Sequence, residues 1–175
     1  MTTTATEIRW HARAGQGAKT AAHILALALL ESGKSVQAFP EYGPERRGAP
    51  LRAFTRVSDR PIRRHDGITD PDLIVVLEPS VVREVDVAEG LNEGGLILVN
   101  AETVPAELAA HPVRCVPAAG NTNLVMLGAV AAVLGEPPLE AVQEAALDVL
   151  GKKVDADDIR AAIETGYEEG RRCRR

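Results

Sequence analysis

Two short runs, Asp72 to Leu77 (DLIVVL) and Gly95 to Val99 (GLILV), constrain the fold of this chain more than any other feature. Each is a nearly unbroken apolar stretch rich in β-branched residues, the pattern of a strand buried on both faces. Strands of that kind belong to parallel sheets whose faces are covered by helices. The covers are visible in the sequence. Ala18 to Ser32 (AKTAAHILALALLES) reads as a helix of about four turns with Gly33 at its stop, apolar on most sides, as suits a helix pressed onto a sheet and covered in turn. Asn121 to Leu134, Leu139 to Leu150 and Asp155 to about Glu169 read as three more; Pro137-Pro138 opens the second of these and Gly151 ends it. Further strands are expected at Glu7 to His11, Val36 to Phe39, Leu51 to Val57 and Val113 to Val116, with a short edge piece at Pro61 to Arg64. The strand-helix-strand order of Glu7 to Phe39 implies parallel pairing, whereas the short connection into Leu51 implies an antiparallel arrival. The expected fold class is therefore α/β: a three-layer α/β/α arrangement with a mostly parallel, mixed sheet and a glycine-containing strand-turn-helix at the N-terminus. A chain of 175 residues accommodates this as a single domain over residues 1–175.

Composition narrows the function classes. The net charge of −5 gives no bulk support for nucleic acid or an anionic membrane as a partner. Cys115 and Cys173 are the only cysteines, too few for a four-thiolate cluster or a disulfide framework, which suits a reducing cytoplasm. Cys115 reads as a small core residue and Cys173 as exposed and disordered. The opening MTTTATEIRW is not a secretory signal, and no apolar stretch reaches the roughly 20 residues of a membrane span, so a soluble, cytoplasmic chain is expected. Charge is unevenly laid out: Glu41 to His65 holds seven arginines against three acids, and Asp66 to Ala110 holds ten acids against Arg83 alone. Such asymmetry points to complementary protein partners.

Two segments carry candidate chemistry. Arg13-Ala14-Gly15-Gln16-Gly17 stands between a strand and an Ala-rich helix, where backbone N–H groups and the positive end of the helix converge on a spot suited to an anion. Arg13 and Lys19 add charge for a phosphate, and Gly15 and Gly17 allow close approach to the backbone. The same glycines also suit a plain tight turn that binds nothing. A dinucleotide reading has Glu41 in a position to take a ribose, but Thr20 stands at the third glycine position. The second segment, Glu41 to Pro50 (EYGPERRGAP), holds Glu45, Arg46 and Arg47 between Gly43-Pro44 and Gly48-Ala49-Pro50, a rigid frame for a bidentate anion contact or a subunit boundary. A solvated charge cluster is the alternative. His11, His23, His65 and His111 show no metal spacing and read as ordinary surface or packed side chains.

The run His11 to Ala18 (HARAGQGA), the run Phe39 to Pro50 (FPEYGPERRGAP), Asn121 to Ala129 (NTNLVMLGA) and Gly166-Tyr167 together resemble the gamma subunit of 2-oxoacid:ferredoxin oxidoreductases, especially the pyruvate branch. The likeness spans nearly the whole chain, although the family's first motif carries glycine where this chain has Ala12 and Ala14. It implies a non-catalytic subunit of a complex that decarboxylates a 2-oxoacid on thiamine diphosphate with Mg2+. The complex passes electrons through [4Fe-4S] clusters to ferredoxin and uses coenzyme A as co-substrate. Those cofactors are expected in partner subunits of the alpha, beta and delta types, with none bound by this chain alone. By the same resemblance Arg13, Gly15, Gln16 and Gly17 are expected to face coenzyme A, and Glu45, Arg46 and Arg47 to lie at an interface, with coenzyme contact the alternative for Arg46 and Arg47. Three other readings stay open: a purely structural subunit, a relative acting on 2-oxoglutarate or oxalate, and a freestanding dinucleotide-binding reductase.

Overall fold

The computed structural model describes residues 5–41 and 48–173. Glu45, Arg46 and Arg47, expected at an interface, lie outside the described residues. Six strands, β1 (Thr6–Arg13), β2 (Ser35–Pro40), β3 (Pro50–Ser58), β4 (Leu73–Val76), β5 (Leu96–Val99) and β6 (Val113–Cys115), form one sheet in the order β2-β3-β1-β4-β5-β6. Four α-helices accompany it: α1 (Ala18–Glu31), α2 (Thr122–Leu134), α3 (Leu139–Leu150) and α4 (Ala156–Cys173).

The two apolar runs became the sheet's interior strands. β4 pairs in parallel with β1 on one side and with β5 on the other, and β5 pairs in parallel with β6. All four residues of β4 are buried: Leu73 and Val75 face the four helices, while Ile74 and Val76 face the opposite side with Ile97 and Val99. That opposite side is covered by short 3-10 turns, Pro79–Arg83 and Ala106–Leu108, so the third layer is thin. A 3-10 turn contributes few side chains, and here Val81, Val82 and Leu108 close the face together with Val87 and Ala88.

One pairing differs from expectation. β1 and β2 run in the same direction but do not touch: β3 lies between them, antiparallel to both, with Trp10 opposite Ala53 and Phe39 opposite Phe54. The crossover through α1 still fixes direction. Adjacency was decided by β3, whose alternation puts Ala53 and Val57 on the helix side and leaves Phe54 and Arg56 for the other. Pro61 to Arg64 forms no strand, having two arginines and no alternation to bury.

α1 is as apolar as its sequence promised, with Ala18, Ala21, Ala22, Ile24, Leu25, Ala28 and Leu29 buried. It ends with Gly33 at φ 83°, whose N–H bonds Leu30 O at 2.9 Å while Lys34 N–H bonds Leu29 O at 3.1 Å. α2 is buried without interruption from Leu124 to Ala132, and α4 packs along it. The contact is close: a Cβ on Gly166 would fall on the carbonyl of Val125, one on Gly128 on that of Ile163, and one on Gly170 on that of Ala129. α4 continues past Glu169 to Cys173, which is half-buried against the helical core instead of being exposed and disordered. Cys115 is likewise half-buried, and both thiols are free.

Candidate functional site

The carboxyl ends of β1 and β4 meet the openings of α1 and α2, and the motif residues gather there. β1 ends at Arg13 and a tight turn follows, in which Gln16 N–H bonds Arg13 O at 3.1 Å. Gly15 (φ 97°) and Gly17 (φ 81°) are both left-handed, a region that glycine enters without a Cβ penalty. Gly17 is also the N-cap of α1, and no side chain caps this helix. Its first-turn amides therefore face outward without a side-chain acceptor, at the end of the helix that carries positive partial charge. α2 opens the same way: Asn121, left-handed at φ 47° and ψ 42°, is its N-cap and makes no side-chain cap bond. The two openings are neighbours, since a Cβ on Gly17 would lie 2.7 Å from Asn123 Nδ2.

The side chains of the turn are engaged internally. Gln16 Oε1 accepts from the Arg13 amide at 2.7 Å, and Gln16 Nε2 donates to Glu78 Oε2 at 3.0 Å. The Arg13 guanidinium donates to Ser80 Oγ at 2.9 and 3.0 Å, to Gly48 O at 3.0 Å and to Glu84 Oε1 at 2.5 Å. Glu84 holds the Arg13 guanidinium above its ordinary pKa, and Arg13 in turn holds the Glu84 carboxyl low. At Glu78 burial pushes the carboxyl up, but hydrogen bonds from the Ser80 amide and from Gln16 outweigh it and leave it below the usual range. Ala14 N–H bonds Ala49 O at 3.0 Å, tying this turn to the start of β3. Ala12 is fully buried in the core and Ala14 half-buried.

Sequence reasoning thus found the glycine turn and missed the acids and amides around it. Glu78, Ser80 and Glu84 follow β4 and its chain end, and the sequence signal was the Glu-Pro-Ser that opens a 3-10 turn: Glu78 accepts from Ser80 N–H at 3.1 Å. Asn121 and Asn123 stood within a quoted motif without a role. Glu41, offered as a ribose acceptor, is committed elsewhere: Arg52 grips it with Nε and, at 2.7 Å, with Nη2. Among the described residues no group of three or more His, Cys, Asp or Glu side chains is placed to hold a metal. No helix among them is long and apolar enough to cross a membrane.

Uncapped helix N-termini beside the carboxyl ends of parallel strands define an α/β domain of the open-sheet class. The chain belongs to the pyruvate ferredoxin/flavodoxin oxidoreductase family, whose description matches residues 7–169. It is similar to pyruvate synthase subunit PorC of Thermotoga maritima, with 44% identity over 180 residues covering 93% of both chains. It is likewise 46% identical over 173 residues to the pyruvate/ketoisovalerate oxidoreductases common subunit gamma of Thermococcus kodakarensis, covering 90% of this chain and 94% of that one. The crystal structure of the Thermotoga maritima PORC subunit superposes with a TM-score of 0.80 at 37% identity, covering 94% and 96% of the two chains. The 2-oxoglutarate:ferredoxin oxidoreductase of Magnetococcus marinus, solved with 2-oxoglutarate, coenzyme A and succinyl-CoA, shares the fold at a TM-score of 0.70 and 18% identity. There the match covers 98% of this chain and 31% of that one. Within the family this chain is of the gamma type, a subunit of a 2-oxoacid:ferredoxin oxidoreductase.

Proposed function

We propose that the chain, as one gamma-type domain, completes a cytoplasmic pyruvate:ferredoxin oxidoreductase by docking to alpha, beta and delta type subunits and shaping the place where coenzyme A enters. Thiamine diphosphate, Mg2+ and the [4Fe-4S] clusters reside in those partners and ferredoxin meets the complex through them. The two cysteines of this chain, Cys115 and Cys173, cannot ligate a four-thiolate cluster. The observation that carries the coenzyme reading is the uncapped start of α1, with left-handed Gly15 and Gly17 keeping the approach to its amides clear. In this reading Gly15, Gln16 and Gly17 meet the coenzyme's phosphates, and Arg13 holds the turn in shape while lending positive charge. Glu45, Arg46 and Arg47 contact a partner subunit.

The engagement of Arg13 with Glu84 and of Gln16 with Glu78 favours a second reading, in which the turn is purely structural and the subunit only supports assembly. Calorimetry of coenzyme A binding to the assembled complex separates the two. Arg13→Ala and Gln16→Ala are each expected to weaken binding about tenfold, the worth of one charge-assisted contact of about 1.4 kcal/mol. Unchanged affinity in both variants leaves the structural reading.

A further inference from the structure

The sheet face away from the helices buries a polar cluster for which the coenzyme reading has no use. Glu7, Arg9 and His11 project from β1 and Arg56 from β3, all nearly removed from solvent. Arg9 is fully employed: its Nη2 donates to Val87 O at 3.0 Å and to Glu89 O, and its Nε donates to His11 Nε2 at 3.1 Å. Because an arginine Nε always donates, His11 Nε2 is the acceptor and the ring proton sits on Nδ1. His11 is 3% exposed, and Nδ1 has no hydrogen-bond partner among the described residues. No fully enclosed side-chain nitrogen or oxygen among them lacks a partner, so Nδ1 is not fully enclosed, and the side chain that carries it lines a cavity.

That cavity has a volume of about 340 Å3. Pro50, Leu51, Val81 and Val85 give it apolar walls, Arg52 stands opposite His11 in the sheet, and Glu41, Asp86 and Glu89 also line it. The charges select the guest. A cation seated on His11 would face the Arg9 and Arg52 guanidiniums, the same two charges that, after burial, hold the imidazole down to about 3. An anion would meet three carboxylates, of which, among the described residues, Glu41 alone is in an ion pair, with Arg52. A neutral group that accepts at one end and donates at the other meets both demands. Asp86 Oδ1 accepts from Ala88 N–H at 3.1 Å, and its Oδ2 has no hydrogen-bond partner among the described residues, so a carboxylate oxygen is available to a donor.

We propose that this cavity binds a neutral secondary amide, with the carbonyl oxygen accepting from His11 Nδ1–H, the amide N–H donating to Asp86 or Glu89, and the adjoining carbons against Val81 and Val85. Two sources carry that chemistry: the pantetheine arm of coenzyme A, a source that rests on the function proposed above, and a peptide bond of a neighbouring chain. The test follows the His11 ring nitrogens and the backbone amides of the full-length chain by NMR while adding pantetheine, N-acetylglycine N-methylamide, or adenosine 3′,5′-bisphosphate. The expected result is a saturable shift of His11 Nδ1 with pantetheine, lost in Val85→Trp, which fills the cavity from its exposed wall and leaves the buried cluster intact. A shift with the peptide amide alone upholds the site and assigns its source to a neighbouring chain. If neither amide moves His11, the proposal is overturned. The bisphosphate, which has no amide, reports separately: shifts at Gly15, Gly17 and Ala18 with none at His11 from either amide leave the coenzyme reading standing and remove this one. His11→Gln, which keeps an acceptor for Arg9, should lose most of the pantetheine affinity, and Val85→Trp decides the matter if that variant does not fold.

Discussion

Gly15 and Gly17 sit two residues apart with similar backbone angles, yet they answer to different constraints. A Cβ on Gly15 meets nothing within 4 Å, so Gly15→Ala pays only for the left-handed conformation, about 1 kcal/mol. A Cβ on Gly17 would also crowd Asn123 at the opening of α2. Gly17→Ala should therefore cost more, about 1–2 kcal/mol, with the Asn123 side chain turned aside; urea denaturation of both variants checks the order. His11 makes a second prediction at this scale. Its pKa in the folded chain is held at about 3 by burial first and then by Arg9 and Arg52, against about 6.5 when unfolded. As pH falls below 6.5 the unfolded chain takes up a proton that the folded chain refuses, so this group's contribution to stability declines by up to about 1.4 kcal/mol per pH unit down to about pH 3. In His11→Gln that contribution is absent, and its unfolding free energy should fall less steeply between pH 6.5 and 5 than that of the parent chain. Equal slopes would contradict the assignment.

Among the elements, the α2–α4 contact explains residues that a sequence reading can only quote. Gly128, Gly166 and Gly170 are spaced so that each helix lays backbone on backbone, and none has a positive φ, so close approach alone requires them. Gly166→Ala should destabilise the fold by more than about 2 kcal/mol, because the added methyl meets the Val125 carbonyl and a rigid helix backbone cannot turn aside. Gly120→Ala, where nothing lies within 4 Å, should change the thermal midpoint little. Helix extents were legible because periodicity and stop signals are local: α3 runs from Leu139 to Leu150 as its sequence indicates. Strand order was not. The period-two pattern of β3 states that one face is buried without stating which strand it joins, and that choice rests on long-range pairing of Trp10 with Ala53 and of Phe39 with Phe54. At the site, Gly15 and Gly17 were legible from their place between strand and helix. Glu78, Ser80 and Glu84 were not, since their partners, Gln16 for Glu78 and Arg13 for Ser80 and Glu84, lie more than 60 residues away in sequence.

For the molecule as a whole, the uneven charge of the sequence is partly neutralised on folding. Arginines of the first segment find acids within and beyond it: Arg56 pairs with Glu7 at 2.6 Å, Arg52 with Glu41, and Arg64 with Asp66 at 2.5 Å. The Arg56–Glu7 pair is buried, with Arg56 fully removed from water, a costly arrangement that persists because Gln37 and the Asp66 carbonyl complete its hydrogen bonds. A 175-residue chain of this family, with two cysteines, fits the role of a component that depends on its neighbours for redox and carbanion chemistry. The measurement that bears on this most directly is pyruvate-dependent reduction of a low-potential acceptor, made on the isolated chain, on the thiamine- and cluster-bearing subunits without it, and on the two recombined. No turnover by the chain alone, and coenzyme A-dependent turnover restored only on recombination, is the predicted result. Turnover by the isolated chain, or full coenzyme A-dependent turnover by the other subunits in its absence, would contradict the account.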